Sequence, residues 1–192
     1  MPTIVLLMGP HGSGKTTLAD ALYRMRSAIR LRQYTTRAKR DGENDEYRFV
    51  VSSPVDALWR YIKAGSEYGF ARSELAGLPH GQIGVVAIHT DAIGDLKQRP
   101  SDVRILTVGL DTLASHDEQL SRVNYIEGRV QSAQAFEESR RIARCQDVCL
   151  SGDFDSVLRE LTGIIEYLRE TCLDGPSRAP AVKSSPSLSR LR

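Results

Sequence analysis

Gly9-Pro10-His11-Gly12-Ser13-Gly14-Lys15-Thr16 fits the pattern GxxxxGK[ST], and its two flanks decide the fold. Ahead of it, Thr3-Ile-Val-Leu-Leu-Met8 is a continuous apolar run, the pattern of a strand buried on both faces of a parallel sheet. Behind it, Lys15 to about Ser27 carries Leu18, Ala21, Leu22 and Met25 at helical spacing. A glycine-rich turn between such elements directs backbone N–H groups at phosphate oxygens, and the helix N-terminus adds partial positive charge. Phosphate binding is therefore expected of Gly9, Gly12, Ser13, Gly14, Lys15, Thr16 and Thr17. Lys15 is placed to reach the β- and γ-phosphates of a nucleoside triphosphate, and the Thr16 hydroxyl to ligate Mg²⁺. The motif does not say what accepts the phosphoryl group.

Outward from the loop, strands and helices alternate. Ile29 to Gln33 and Glu46 to Val51 read as short strands. Ser53-Pro54 reads as the start of a helix through Trp59 and Ile62, with Ser as N-cap, Pro in the first turn and Gly65 as the stop. Ile83 to His89, Val103 to Val108 and Val148 to Leu150 are further strands. Tyr125 to Arg144 reads as a long polar helix with Ile126, Val130, Ala133 and Phe136 on one stripe. Asp155 to Leu173 is amphipathic through Val157, Leu161, Ile164, Ile165 and Leu168. The alternation implies a layered α/β domain with a mostly parallel sheet.

Composition narrows the class. The chain has 192 residues, a 41% hydrophobic fraction, and 26 Lys+Arg against 24 Asp+Glu. That suits one domain able to bury its own core. No apolar run approaches the roughly 20 residues that span a bilayer. No basic segment and apolar h-region open the chain, so no secretory signal is expected. Cys145, Cys149 and Cys172 make neither a disulfide framework nor a zinc site, and they read as free thiols, buried or partly so, in a cytoplasmic protein. Residues 174–192 hold three prolines, five serines and four basic residues against one acid, the composition of a disordered tail. The tail carries the net positive charge, which leaves residues 1–173 nearly neutral and a nucleic-acid partner unlikely. Within them, Arg24 to Arg40 holds seven basic residues and no acid, which suggests an anionic ligand.

Thr35-Thr36-Arg37-Ala38-Lys39-Arg40-Asp41-Gly42-Glu43, followed by Tyr47-Arg48-Phe49, lies one helix beyond the loop. Two arginines three apart can grip a phosphate as charge-assisted forks, and Tyr47 can add a neutral donor. With the phosphate loop, these residues resemble the guanylate kinase family, whose loop is GPSGSGK[ST] and whose acceptor segment is TTRxxRxGE with a YxF strand. Tyr68-Gly69 resembles the family's YG pair, and Ile126 to Ala135, with Arg129, resembles its late helix. The resemblance implies an α/β P-loop NTPase three-layer core over 1–173, an acceptor-binding insert at about 34–80 and a helical lid at about 111–125. It implies transfer of the ATP γ-phosphoryl group to a small phosphorylated acceptor, most simply a nucleoside monophosphate. Arg37, Arg40, Tyr47 and Tyr68 would hold the acceptor's phosphate, and Arg129 would approach the transferring group beside Lys15 and Arg37.

The departures from the family are concentrated where guanine is read. The serine ahead of the TTR run falls at Gln33 or Tyr34, and the hydroxyl after the YG pair becomes Phe70. The aspartates of the family's LDxD strand fall at Ala87 and His89; Asp91 is the nearest carboxylate and is read as a Mg²⁺ ligand through water. Glu67 lies near the YG pair in an open register. Phe70 is open to two roles, a stacking face for an acceptor ring or core. His89 is open to two as well, an acceptor ligand or a satisfied histidine at a strand end. Between Leu113 and Tyr125 the lid holds only Arg122. Loss of a buried polar code removes discrimination for one base. Two other readings therefore stand beside a nucleotide kinase: an enzyme like the ribose 1,5-bisphosphate phosphokinases, and a non-catalytic guanylate-kinase-like binding module.

Overall fold

The computed structural model describes residues 1–40, 47–94, 96, 100–111, 117–118 and 132–173. Five strands form one parallel sheet in the order β2-β7-β1-β8-β9: β1 (Thr3–Met8), β2 (Ile29–Arg30), β7 (Ile83–Ala87), β8 (Arg104–Leu110) and β9 (Val148–Leu150). All six residues of β1 are buried, because it lies at the centre with both faces covered. Successive side chains point to opposite faces of a strand. Val5 and Leu7 accordingly join α1 (Lys15–Arg24) and the helix α3 (Phe154–Leu173) in one apolar cluster with Leu18, Leu22, Leu161 and Ile165. Ile4, Leu6 and Met8 enter a second cluster on the other face, with Val86, Ile88, Trp59, Tyr61 and Phe70.

That second cluster is where the insert docks. A separate sheet with the order β4-β3-β6-β5 is built from β3 (Gln33–Thr35), β4 (Tyr47–Phe49), β5 (Ala57–Lys63) and β6 (Ser66–Ala71). Trp59 stacks on Phe70 with centroids 4.7 Å apart, and both rings close onto the main sheet. Gln33 ties the two sheets at their junction, its Nε2 donating to the Ala87 carbonyl at 2.8 Å.

Three local expectations change. The segment after Ser53-Pro54 is a strand. Trp59 and Tyr61 are buried while Arg60 and Ile62 are exposed, an alternation of period two. Ala64 and Gly65, with φ of 48° and 76°, make the two-residue hairpin turn to β6. The Ser-Pro pair looks like a helix start locally, but rings and branched chains that pack on a sheet override it. Second, the late helix α2 (Ala133–Arg144) begins at Ala133, eight residues after Tyr125. Ser132 is extended there, and its side chain accepts from the Ala135 N–H as an N-cap. Ile126, Val130 and Arg129 lie outside the described residues. Third, Met25 is exposed, since α1 ends at Arg24 before another turn can bury it. Cys145 and Cys149 are exposed as well, and Cys172 is half-buried.

Residues 174–192, and the lid segment apart from Asp111 and residues 117–118, also fall outside the described residues. Asp111, just after β8, has a separate role. Its carboxylate accepts from Arg140 Nε at 3.0 Å and Arg144 Nε at 2.7 Å, which pins α2 against the end of β8. Burial pushes this carboxyl up, but the two arginines more than offset it and hold the group below its ordinary value of 3.8. Asp111→Asn is expected to destabilise the fold by about 1–3 kcal/mol, since charge-assisted bonds are lost from a mostly buried group. In thermal melts that reads as a drop of roughly 2–10 °C. A folded pKa below the unfolded one adds stability that is complete above about pH 4 and is lost as the pH falls through the folded value. The gap between wild type and variant should therefore close in acid.

Candidate functional site

The phosphate loop is shaped by its glycines. Gly14 is the N-cap of α1 in the left-handed region, at φ 84° and ψ 8°, a conformation that costs L-residues about 1–2 kcal/mol. Gly12 is also left-handed, at φ 74°. Lys15 folds back over the loop: its Nζ donates to the Gly9 and Pro10 carbonyls at 2.8 and 2.7 Å and lies 3.4 Å from Ser13 Oγ. Thr16 is half-buried in the first turn of α1, and Thr17 is exposed. Beside the loop is a recess of about 120 Å³ lined by Gly12, Gly14, Leu110, Leu150, Gly152 and Phe154, among others. It lies at the carboxyl ends of β8 and β9, where open parallel sheets place their ligands.

Arg37, Tyr47 and Tyr68 come together on the insert. Arg37 Nε donates to the Tyr68 hydroxyl at 3.1 Å, and its guanidinium lies 5.3 Å from the Tyr47 ring centroid and 5.2 Å from that of Phe49. Tyr68 meets Tyr47 edge-on at 5.6 Å and stacks on Tyr61 at 5.5 Å. The strand pairings explain this assembly. β3 carries Thr35 beside Tyr68 of β6 and Phe49 of β4, and Arg37 leaves the end of β3 over those rings. Arg40 is exposed beyond them. The cationic stretch is not one patch, because Arg30 pairs with Asp20 at 2.6 Å and Arg24 bonds the Asp20 carbonyl.

Phe70 belongs to the core. It is fully buried against Trp59, which leaves no ring face for an acceptor. Glu67 points to the face opposite Tyr68 and accepts from the Tyr34 hydroxyl at 2.7 Å and from Ser53 Oγ at 2.5 Å. Burial would raise this carboxyl, yet the two donors hold it below its ordinary value.

Sequence reasoning missed Lys63 and His11. Lys63 ends β5 on the same face as Tyr61, and its Nζ lies 3.0 Å from His11 Nε2 and in contact with His89 Nε2. Burial pulls the Lys63 amine down to about 8, with the charge of Asp91 acting the other way. Burial also lowers His89, against the pull of Asp91, whose Oδ2 is 3.0 Å from His89 Nδ1. The hairpin register that delivers Lys63 is the signal that could have found it, and the misread helix hid that register.

Mg²⁺ is usually held by one or two protein oxygens and substrate phosphates. Thr16, half-buried at the start of α1 beside the loop, fits that modest requirement. Asp91 is already engaged by His89. Among the described residues no cluster of three or more His, Cys, Asp or Glu side chains could hold a metal by itself. None of their helices is long and apolar enough to cross a membrane.

A parallel sheet ending in a glycine-rich loop and helix, with a small mixed sheet docked on one face, is the fold of an α/β P-loop NTPase. Among solved structures the chain is similar to guanylate kinase from Anaplasma phagocytophilum, with a TM-score of 0.64 and 18% sequence identity over 89% of this chain and 88% of that one. A gluconokinase from Sinorhizobium meliloti 1021 also aligns, with a TM-score of 0.41 and 13% identity over 88% of this chain and 94% of that one. No protein-family model and no curated protein sequence matches the chain.

Proposed function

We propose that this protein is an ATP-dependent kinase that transfers the γ-phosphoryl group to a phosphorylated acceptor, most simply a nucleoside monophosphate. The observation that carries the reading is the pairing of two anion grips. The phosphate loop and Lys15 lie on the core, while Arg37 with Tyr47 and Tyr68 lies on the docked insert. The contact of Lys63 with His11 joins the two. Phosphoryl transfer needs little covalent chemistry from a protein; positioning and charge stabilisation supply the rate. Mg²⁺, bound at Thr16 and the nucleotide phosphates, would neutralise charge between the β- and γ-oxygens. The recess beside Leu110 and Leu150 is where the nucleoside of ATP would sit.

One observation favours a second acceptor class. At the positions where the resembled family reads guanine, Phe70 is closed into the core, and Tyr34 is buried with its hydroxyl donated to the nearby Glu67. An acceptor of the sugar-phosphate type, as in the ribose 1,5-bisphosphate phosphokinases, asks for no base pocket. ADP release measured over a panel of nucleoside monophosphates and sugar phosphates separates the two. Stimulation by a member of either group supports the kinase and assigns its acceptor, whereas stimulation by none rejects the kinase.

A further inference from the structure

Three basic side chains from three separate segments converge on one point. His11 belongs to the phosphate loop, Lys63 ends β5 of the insert, and His89 follows β7 and caps the 3₁₀ turn Thr90–Ile93. Lys63 Nζ is 3.0 Å from His11 Nε2 and in contact with His89 Nε2, and the two imidazole Nε2 atoms are 3.1 Å apart. The result is a triangle of nitrogens. Asp91 stands behind it, on the Nδ1 side of His89 at 3.0 Å, and so turns the Nε2 of that ring toward the other two. The His89 side chain is only 11% exposed, so the arrangement is built into the fold. Nitrogens gathered this closely repel one another whenever more than one is charged; a negatively charged oxygen beside them relieves that repulsion and favours the imidazole forms with a proton on Nε2, in which all three nitrogens donate to it.

The location identifies the oxygen. One corner of the triangle is part of the loop that would hold the donor phosphates. Another lies on the strand and face that carry Tyr61, which stacks on Tyr68, the partner of Arg37. The triangle thus links the loop to the strand face that leads, through Tyr61 and Tyr68, to Arg37. The stretch from Leu113 to Tyr125 contains a single arginine, Arg122, and the nitrogen cluster in the body adds donors for an anion that this composition lacks.

We propose that His11, Lys63 and His89 form a third anion site, one that binds the non-bridging oxygens of the γ-phosphoryl group and holds it during transfer. This inference rests on the kinase reading. In the step itself, the bond from the γ-phosphorus to the β–γ bridging oxygen breaks and its electron pair leaves with ADP. A bond forms from an acceptor phosphate oxygen, and the triad only donates hydrogen bonds.

Calorimetric titration of the full chain with ATP and with ADP tests the site without knowledge of the acceptor. Wild type should bind ATP more tightly than ADP. Lys63→Met and His11→Ser should each weaken ATP by about 10–100-fold, the effect of losing one charge-assisted bond, and leave ADP within about twofold. Lys63→Arg should keep most of the preference. Equal weakening of both nucleotides, or no change in either, overturns the proposal, as does a wild type that binds ADP as tightly as ATP. A triad-dependent preference for ATP, with no acceptor that releases ADP, would retain the anion site and reject only the kinase reading.

Discussion

Lys15→Ala is expected to lower turnover by at least about 10²–10³-fold, the usual cost of removing one fixed donor from a developing anion. In the structure its Nζ spans the loop, bonded to the Gly9 and Pro10 carbonyls. Those carbonyls hold the amine over the loop, where the β- and γ-phosphates of the proposed nucleotide would lie. The packing of α1 rests on Leu18, Ala19 and Leu22. The variant should therefore fold, with a melting temperature close to that of wild type, and fail in the chemical step. Steady-state ADP release measured beside a thermal melt checks both halves. Turnover within tenfold of wild type would mean that this loop does not hold the reacting phosphates.

Arg37→Ala is expected to act on the acceptor. Its guanidinium is held by the Tyr68 hydroxyl and lies over the Tyr47 and Phe49 rings. A fork fixed in this way loses little freedom when it closes on a phosphate. Its removal should raise the acceptor KM by about 10–100-fold, the equivalent of one charge-assisted bond, while ATP affinity stays put. Some loss of kcat is also expected if the guanidinium bonds harden as charge shifts during transfer. Unchanged acceptor affinity would mean that the acceptor lies elsewhere.

The sequence makes β1, the phosphate loop and α1 legible because their signals are local: an apolar run, glycines at fixed offsets and a helical stripe. The same holds for α3, whose Val157, Leu161, Ile165 and Leu168 are all buried. The insert is harder. Its strands are three to seven residues long, and they are stabilised by pairing between segments far apart, as Thr35 pairs with Tyr68. Ser53-Pro54 is a sound helix signal for the isolated segment, and only the packing of Trp59 and Tyr61 on the main sheet reveals a strand.

The site divides in the same way. Arg37, Tyr47 and Tyr68 are recognisable because each stands in a short motif of the resembled family, although the stretch between Tyr47 and Tyr68 is shorter than the family's, and the fold does gather them. Arg129 lies outside the described residues, and Phe70 is in the core. The cluster of His11, Lys63 and His89 is invisible to any local pattern. His11 and Lys63 are 52 positions apart and Lys63 and His89 are 26 apart, so only the docking of the insert brings them together. His11 looks like an ordinary variable position of the loop motif, and Lys63 like a solvated end of a helix that does not exist.

If the protein works as proposed, the phosphoryl group lands on a phosphate. Phosphorus NMR of the products, taken with ATP and the acceptor that best stimulates ADP release, tests this most directly. A new phosphoanhydride is expected, seen as coupled resonances of the added phosphate and the acceptor's own phosphate. A new phosphomonoester with no such coupling would show that a hydroxyl had been phosphorylated, and would contradict it.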